Sequence, residues 1–371
     1  MSTQINLSGE QSMLLETAVS FCESQAPIAK VREAIEHRSS FDRDQWQAMV
    51  DLGWSAIAIP ETYGGLGMGL GSVVPVIESM GRQLMASPML NTTVAAMALD
   101  AAGNEQQKGH WLPKLATGSI ATFALTEEDG SWDLRDVQAS ATAEGDSLVL
   151  SGTKTFVLDA DAADVILTSV RYEGAAHLVL IEDIDPTRIQ DEIVIDETRR
   201  SFQLDLQGLV IDQSQLLPSD CFDLVERAML LLISADMAGG MQSVLSLVVE
   251  YLNTRKAFER YIGSYQALKH PAVDILLAME AARSHVYHAA TLWDEGADEK
   301  DLEIAVRMTK AHTSETYAYA GDRAVQFHGA MGFTFECDAQ LHLRRALWGQ
   351  YQFGDERFHR MKLAPLVFDA A

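Results

Sequence analysis

Two short stretches in the last third of the chain concentrate side chains suited to one kind of ligand. Arg255-Lys256-Ala257-Phe258-Glu259-Arg260-Tyr261-Ile262-Gly263-Ser264-Tyr265-Gln266 offers a guanidinium fork, an aromatic face and an amide, at Arg255, Phe258 and Gln266. A guanidinium binds phosphate through parallel N–H donors. Gln326-Phe327-His328-Gly329-Ala330-Met331-Gly332-Phe333 adds a second amide and two glycines. Gly329 and Gly332 have no Cβ, so a backbone there can approach a ligand closely. The combination suits a bulky cofactor that is both phosphorylated and aromatic.

Asp236 stands out for a different reason. It is the only charged residue between Arg227 and Glu250. A lone carboxylate in so apolar a run must be ion-paired, protonated or turned toward a cavity. As a base it would sit among Ile233, Met237, Ala238 and Met241, apolar neighbours that raise a carboxylate pKa. As a structural charge it would pair with a cation such as Arg255 or Lys269.

Three earlier runs complete a pattern. They are Leu52-Gly53-Trp54 with Ile59-Pro60-Glu61-Thr62-Tyr63-Gly64-Gly65-Leu66-Gly67, then Phe123-Ala124-Leu125-Thr126-Glu127, then Gly152-Thr153-Lys154-Thr155-Phe156-Val157. With the two later stretches, and in this order, they resemble the acyl-CoA dehydrogenase family over nearly the whole chain. The resemblance implies an α+β fold in three parts. Residues 1–118 would form a helical domain, 119–218 a β domain, and 219–371 a C-terminal four-helix bundle. It also implies FAD bound across a subunit interface and α,β-dehydrogenation of an acyl-CoA thioester. An electron-transfer flavoprotein would take the electrons.

The resemblance assigns roles residue by residue. Arg255 would hold pyrophosphate, Phe258 and Gln266 would lie along the dinucleotide, and Gln326, Gly329 and Gly332 would line its adenosine side. Glu259 stands where the family usually has glycine. Thr126 and Ser131 would hydrogen-bond the flavin, or else cap strands or turns. Their run, Thr126-Glu127-Glu128-Asp129-Gly130-Ser131-Trp132-Asp133, lacks the family's proline and is more acidic. In Phe156-Val157-Leu158 the last residue has no hydroxyl. The usual C-terminal base position falls on Phe353, which cannot accept a proton; Asp355 and Glu356 lie nearby. Asp236 and Glu226, the latter in a Glu226-Arg227 pair, are the alternative catalytic acids. The half-site offered to a neighbour is intact while the chain's own site is altered. That asymmetry resembles one subunit of the bacterial heterotetrameric acyl-CoA dehydrogenases. A homotetramer using Asp236, or a non-catalytic partner completing another chain's FAD site, are the other readings.

Bulk properties set outer limits. A chain of 371 residues exceeds one ordinary core, so two or three domains are expected. The formal net charge of −25 repels phosphates and argues against nucleic acid as a partner. Cys22, Cys221 and Cys337 lie far apart, which fits a reducing cytoplasm and no metal site. Met1-Ser2-Thr3-Gln4 shows no basic-then-apolar signal pattern. The apolar run from Ala228 to Val249 is long enough to cross a membrane. Its Asp236, Gly239, Gly240 and Gln242 favour a buried helix instead.

Helical periodicity appears in Leu14, Ala18, Phe21 and Cys22, behind a capping-box pair at Ser8 and Gln11. It recurs in Trp46, Met49 and Val50. Strand-like runs follow at Ala121–Leu125, Ser147–Leu150, Val165–Val170, His177–Ile181 and Leu209–Ile211. From Ser219 onward the helical period returns.

Overall fold

The computed structural model describes residues 7–39 and 41–368; the outer ends of the expected first and last domains, with Met1–Gln4, lie outside them. Six helices open the chain: α1 (Gly9–Gln25), α2 (Ile28–His37), α3 (Arg43–Asp51), α4 (Val74–Arg82), α5 (Met89–Ala102) and α6 (Glu105–Ala116). The capping box at the start of α1 forms: the Gln11 N–H donates to Ser8 Oγ at 3.0 Å, and the Ser8 N–H donates to Gln11 Oε1 at 3.1 Å. Asn104 and Gln107 make a second one ahead of α6.

Nine strands follow: β1 (Ala121–Ala124), β2 (Ser140–Glu144), β3 (Ser147–Ser151), β4 (Thr153–Leu158), β5 (Val165–Tyr172), β6 (Ala175–Glu182), β7 (Ile189–Glu192), β8 (Ser201–Asp205) and β9 (Leu209–Asp212). One sheet joins β1, β5, β6, β2, β3 and β9; a second joins β4, β8 and β7. Most pairings are antiparallel, while β1 and β2 run parallel to β5. No continuous parallel sheet forms among the described residues. Ala124, Leu148, Leu150, Val157 and Phe202 belong to a separate core between these sheets.

The last part contains α7 (Phe222–Thr254), a hairpin of β10 (Lys256–Ala257) and β11 (Arg260–Tyr261), then α8 (Gln266–Asp294), α9 (Glu299–His328), α10 (Asp338–Tyr351) and α11 (Glu356–Phe368). This is the expected acyl-CoA dehydrogenase-like order, helical, β, helical. The α7 helix carries the long apolar run. Its residues from Ala228 to Met241 are buried, so it is the central core helix. Two glycines permit its close crossing with α4. A Cβ on Gly239 would meet Glu78 O at 1.9 Å, and one on Gly81 would meet Asp236 O at 2.0 Å.

That crossing yields a prediction. Gly239→Ala forces the two backbones apart, and overpacking of this kind costs about 1–3 kcal/mol. Chemical denaturation should show the loss; an unchanged midpoint would mean the crossing is loose.

Candidate active site

A cavity of about 390 Å³ opens between the β domain and the C-terminal helices. That size falls in the range of cofactor and ligand sites. On the β side it is lined by Phe123, Leu125, Thr126, Phe156 and Leu158; on the helical side by Met229, Ile233, Trp348, Tyr351 and Phe353. Ser131 and Trp132 lie at its rim. Its lining holds one carboxylate, Asp159, and one cation, Arg199.

The loop after β1 is held by charge. Glu127 accepts from Lys154 Nζ of β4 at 2.6 Å and from the N–H groups of Gln138 and Ala139 at 2.7 and 2.9 Å. Burial opposes its charge, yet these donors keep Glu127 below the usual carboxylate range. Thr126 is thereby fixed against Thr155, whose N–H donates to its carbonyl at 2.9 Å. The Ser131 N–H donates to Asp129 Oδ1 at 3.3 Å, and Ser131 Oγ accepts from the Asp133 N–H at 3.4 Å, so this cavity-lining serine also caps a tight turn. Trp132 then crosses to the helices. Its indole N–H donates to Tyr351 O at 3.0 Å, and its ring lies 5.3 Å from Phe358.

The two sequence candidates for the base are both engaged elsewhere. Asp236 does not line the cavity. Its carboxylate accepts from Arg345 Nη1 at 3.0 and 3.3 Å and from Arg199 Nη2 at 3.0 Å. Arg345, fully buried, also binds Asp196, Thr198 Oγ1 and Leu84 O. The ion-pair reading of Asp236 is therefore the one the geometry favours, with Arg345 and Arg199 rather than Arg255 or Lys269 as partners. A carboxylate gripped by two guanidinium groups has its lone pairs committed to structure. Glu226 is likewise paired, with Arg307 Nη2 at 2.8 Å, and is not part of the cavity lining. Burial pushes its carboxyl up, against the pull of Arg307.

The C-terminal loop explains itself in the same terms. Phe353 lines the cavity in the left-handed region at φ 55°. Asp355 is an N-terminal cap: it accepts from the Arg357 and Phe358 N–H groups at 3.1 and 2.8 Å. Glu356 accepts from Gln350 Nε2 at 2.9 Å. Neither faces the cavity. Beneath the loop, buried Lys310 donates to Gly354 O at 2.7 Å and Gln350 O at 3.1 Å, and burial pushes it down to about 7.

Arg255, Phe258, Gln266, Gln326, Gly329 and Gly332 gather at the other end of α7. Tyr251, one turn before Arg255, stacks on His328 at 4.1 Å, just before Gly329. Arg255, Gln266 and Gln326 are exposed, and Phe258 is 91% exposed. Phe258 and Glu259, both at positive φ, form the two-residue turn between β10 and β11. Gly329 also takes a positive φ of 61°, and a Cβ on Gly332 would meet Val325 O at 2.2 Å. None of these six lines the cavity. From Ile233 to Arg255 the helix advances roughly 33 Å at about 1.5 Å per residue.

Sequence reading passed over Trp132, Asp159, Arg199 and Trp348. Burial pushes the Asp159 carboxyl up to about 7, with Arg199 pulling the other way. The signal was weak: an acid directly after Phe156-Val157-Leu158, in a turn rich in aspartate.

Family models match three consecutive parts of the chain. They are the acyl-CoA dehydrogenase N-terminal domain at residues 8–119, the middle domain at 122–199 and the C-terminal domain at 225–367. Acyl-CoA dehydrogenase IpdE2 of Mycolicibacterium smegmatis is 29% identical over 98% of this chain and 100% of its own length. Acyl-CoA dehydrogenase FadE12 of Mycobacterium tuberculosis is 31% identical over 81% of this chain and 80% of its own. Butyryl-CoA dehydrogenase from Megasphaera elsdenii shares the fold at a TM-score of 0.86, with 22% identity over 97% of this chain and 98% of that one. The chain belongs to the acyl-CoA dehydrogenase family, flavoprotein oxidoreductases that act on CH–CH bonds.

Two predictions follow from the charges. Asp236→Asn leaves Arg345 and Arg199 undercompensated in the interior, a loss of about 3–5 kcal/mol in unfolding free energy. An intact midpoint would return Asp236 to the list of catalytic acids. For Asp159 the folded state holds its proton more tightly than the unfolded chain does. Its stabilising contribution is thus present at acid pH and is lost as pH rises from about 4 toward about 7. Asp159→Asn should therefore gain on the native chain in denaturant midpoint as pH passes through that window; parallel pH profiles would contradict the shift.

Proposed function

We propose that this chain carries out FAD-dependent α,β-dehydrogenation of an acyl-CoA thioester, as one subunit of a tetramer that includes copies or a paralogue. One observation carries the reading. The hydroxyls that would meet the flavin ring, on Thr126 and Ser131, lie at the cavity. The groups that would hold pyrophosphate and adenosine lie beyond the far end of α7. None of that second set lines the cavity, which supports one FAD drawing the two sets from different chains.

The residues fit such a cofactor. Arg255 offers a free guanidinium for pyrophosphate, since no salt bridge engages it among the described residues. Phe258 presents an uncovered ring, and Met331 and Phe333, next to Gly332 in the chain, are 59% and 72% exposed. Exposed apolar groups such as these suit a subunit interface. Bound FAD supplies the hydride acceptor. The chain's own cavity excludes water around the acyl group through Phe123, Leu125, Ile233 and Trp348. An electron-transfer flavoprotein is the electron acceptor this family membership suggests. The three unpaired cysteines suit a cytoplasmic setting.

Phe353 at the usual base position, with Asp236 and Glu226 both paired, favours a second reading. In it the chain is a non-catalytic partner that completes another chain's FAD site. The visible spectrum and stoichiometry of the chain purified alone and with a paralogue separate the two.

Arg255→Ala should weaken FAD binding by about 1.5–3 kcal/mol, the worth of a charge-assisted phosphate contact. Flavin should also leave when the subunits are separated. Unchanged flavin content in the variant, or a flavin-bearing monomer on size exclusion, would defeat the interface reading.

A further inference from the structure

We infer that Asp159 is the proton acceptor of this chain's cavity, taking the proton from the α-carbon of the bound thioester. The inference rests on the dehydrogenase reading above. It deepens that reading by naming the residue that takes the proton.

Four observations support it. Among the described residues Asp159 is the only carboxylate lining the cavity. Its side chain has no hydrogen-bond partner among the described residues, whereas Asp236, Glu226, Asp355 and Glu356 are all engaged. Its surroundings are apolar: Phe123, Phe156, Leu158 and Ile195 share the wall. A base in a dry site near neutral pKa is well matched to a weak carbon acid. The charged groups acting on it are Arg199 and Arg200, which favour its anion, and Asp161, which opposes it. Arg199 is itself largely committed to Asp236 and lies over Trp348 at 4.6 Å. It therefore leaves the Asp159 carboxyl able to titrate instead of locking it as an anion.

Backbone geometry points to the same place. Nine non-glycine residues have positive φ among the described residues, and Phe156, Asp159 and Phe353 all line this one cavity. Residues held in the left-handed region cost free energy and persist where a site needs them. Asp159 adopts φ 53° directly after β4, and its carbonyl accepts from the Ala162 N–H at 3.1 Å. That turn places an acid at the wall opposite Phe353, the position where the usual base is missing.

The step is a proton transfer. The Cα–H bond breaks, its electron pair stays on the thioester as the enolate, and the proton forms an O–H bond on Asp159. Reversal returns a solvent-derived proton to the same carbon, so the residue is testable by exchange without any oxidation.

The test uses the assembled, flavin-bearing protein under anaerobic conditions in deuterated water. Butyryl-CoA and a longer saturated acyl-CoA serve as probes, with binding checked by the shift they cause in the flavin spectrum. Deuterium at the α-carbon is read by mass spectrometry. The native protein should exchange it, with a rate that rises as pH passes through about 7. Asp159→Asn should lower that rate by about 10²-fold or more while flavin and thioester stay bound. Asp159→Glu, which keeps the acid, should recover part of the rate and its pH dependence. Native-rate exchange in Asp159→Asn would overturn the assignment, as would equal loss in the Asn and Glu variants. Binding of the thioesters with no exchange by the native protein would also overturn it, leaving the dehydrogenase reading to a base on another chain. Failure to bind either thioester would sink the dehydrogenase reading itself.

Discussion

A buried four-charge network joins the parts of this molecule. Arg345 from α10 and Arg199 from the segment between β7 and β8 meet Asp236 from α7 and Asp196 from that same segment. Two positive and two negative charges compensate one another in the interior, which is the condition for burying any of them. Arg345 also donates to Leu84 O, so the turn after α4 is drawn in as well. The β domain, the N-terminal helices and the C-terminal bundle thus converge on one guanidinium. Remove a partner and several interfaces lose their common anchor.

The cavity inherits its shape from that network. Arg199 forms part of its wall, and the Arg199 guanidinium lies over Trp348, one turn of helix from Arg345. Lys310 fixes the neighbouring Phe353-Gly354 loop from below through the Gln350 and Gly354 carbonyls and is itself held by Ser314 Oγ. Most charges near the cavity are consumed by structure, and what remains inside is apolar apart from Asp159, Arg199 and a few hydroxyl and amide groups. The bundle's opposite end shows the reverse. There Arg255, Phe258 and Gln326 are uncovered, and none of them lines the cavity.

Much of this was legible in the sequence. The order of helical and β segments followed from periodicity and from the family-like runs. The Ser8–Gln11 capping box and the five strand-like runs appear where their patterns placed them. Of the nine strands in the β domain, β4 overlaps the family-like run at residues 152–157 and three were not read. β2 and β7 carry few apolar residues, so their alternation is faint. β8 does alternate, through Phe202 and Leu204, but it follows the charged Arg199-Arg200 pair. The partners of Asp236 were unreadable for a physical reason. Arg345 lies 109 positions away and Arg199 lies 37, on elements that meet only in the packed fold. Asp159 was missed because an acid in an aspartate-rich turn looks like surface, and only the cavity shows otherwise.

The central claim is that one FAD site is built from two chains, with the ring at one chain's cavity and the pyrophosphate at another's Arg255. A structure of the assembled, FAD-loaded protein tests it most directly. The account predicts flavin density against Thr126 and Ser131 or their paralogous equivalents, and pyrophosphate density within hydrogen-bond distance of Arg255 from a different chain. Density placing both ends of the cofactor on one chain, or leaving Arg255 in solvent with FAD fully bound, would contradict it.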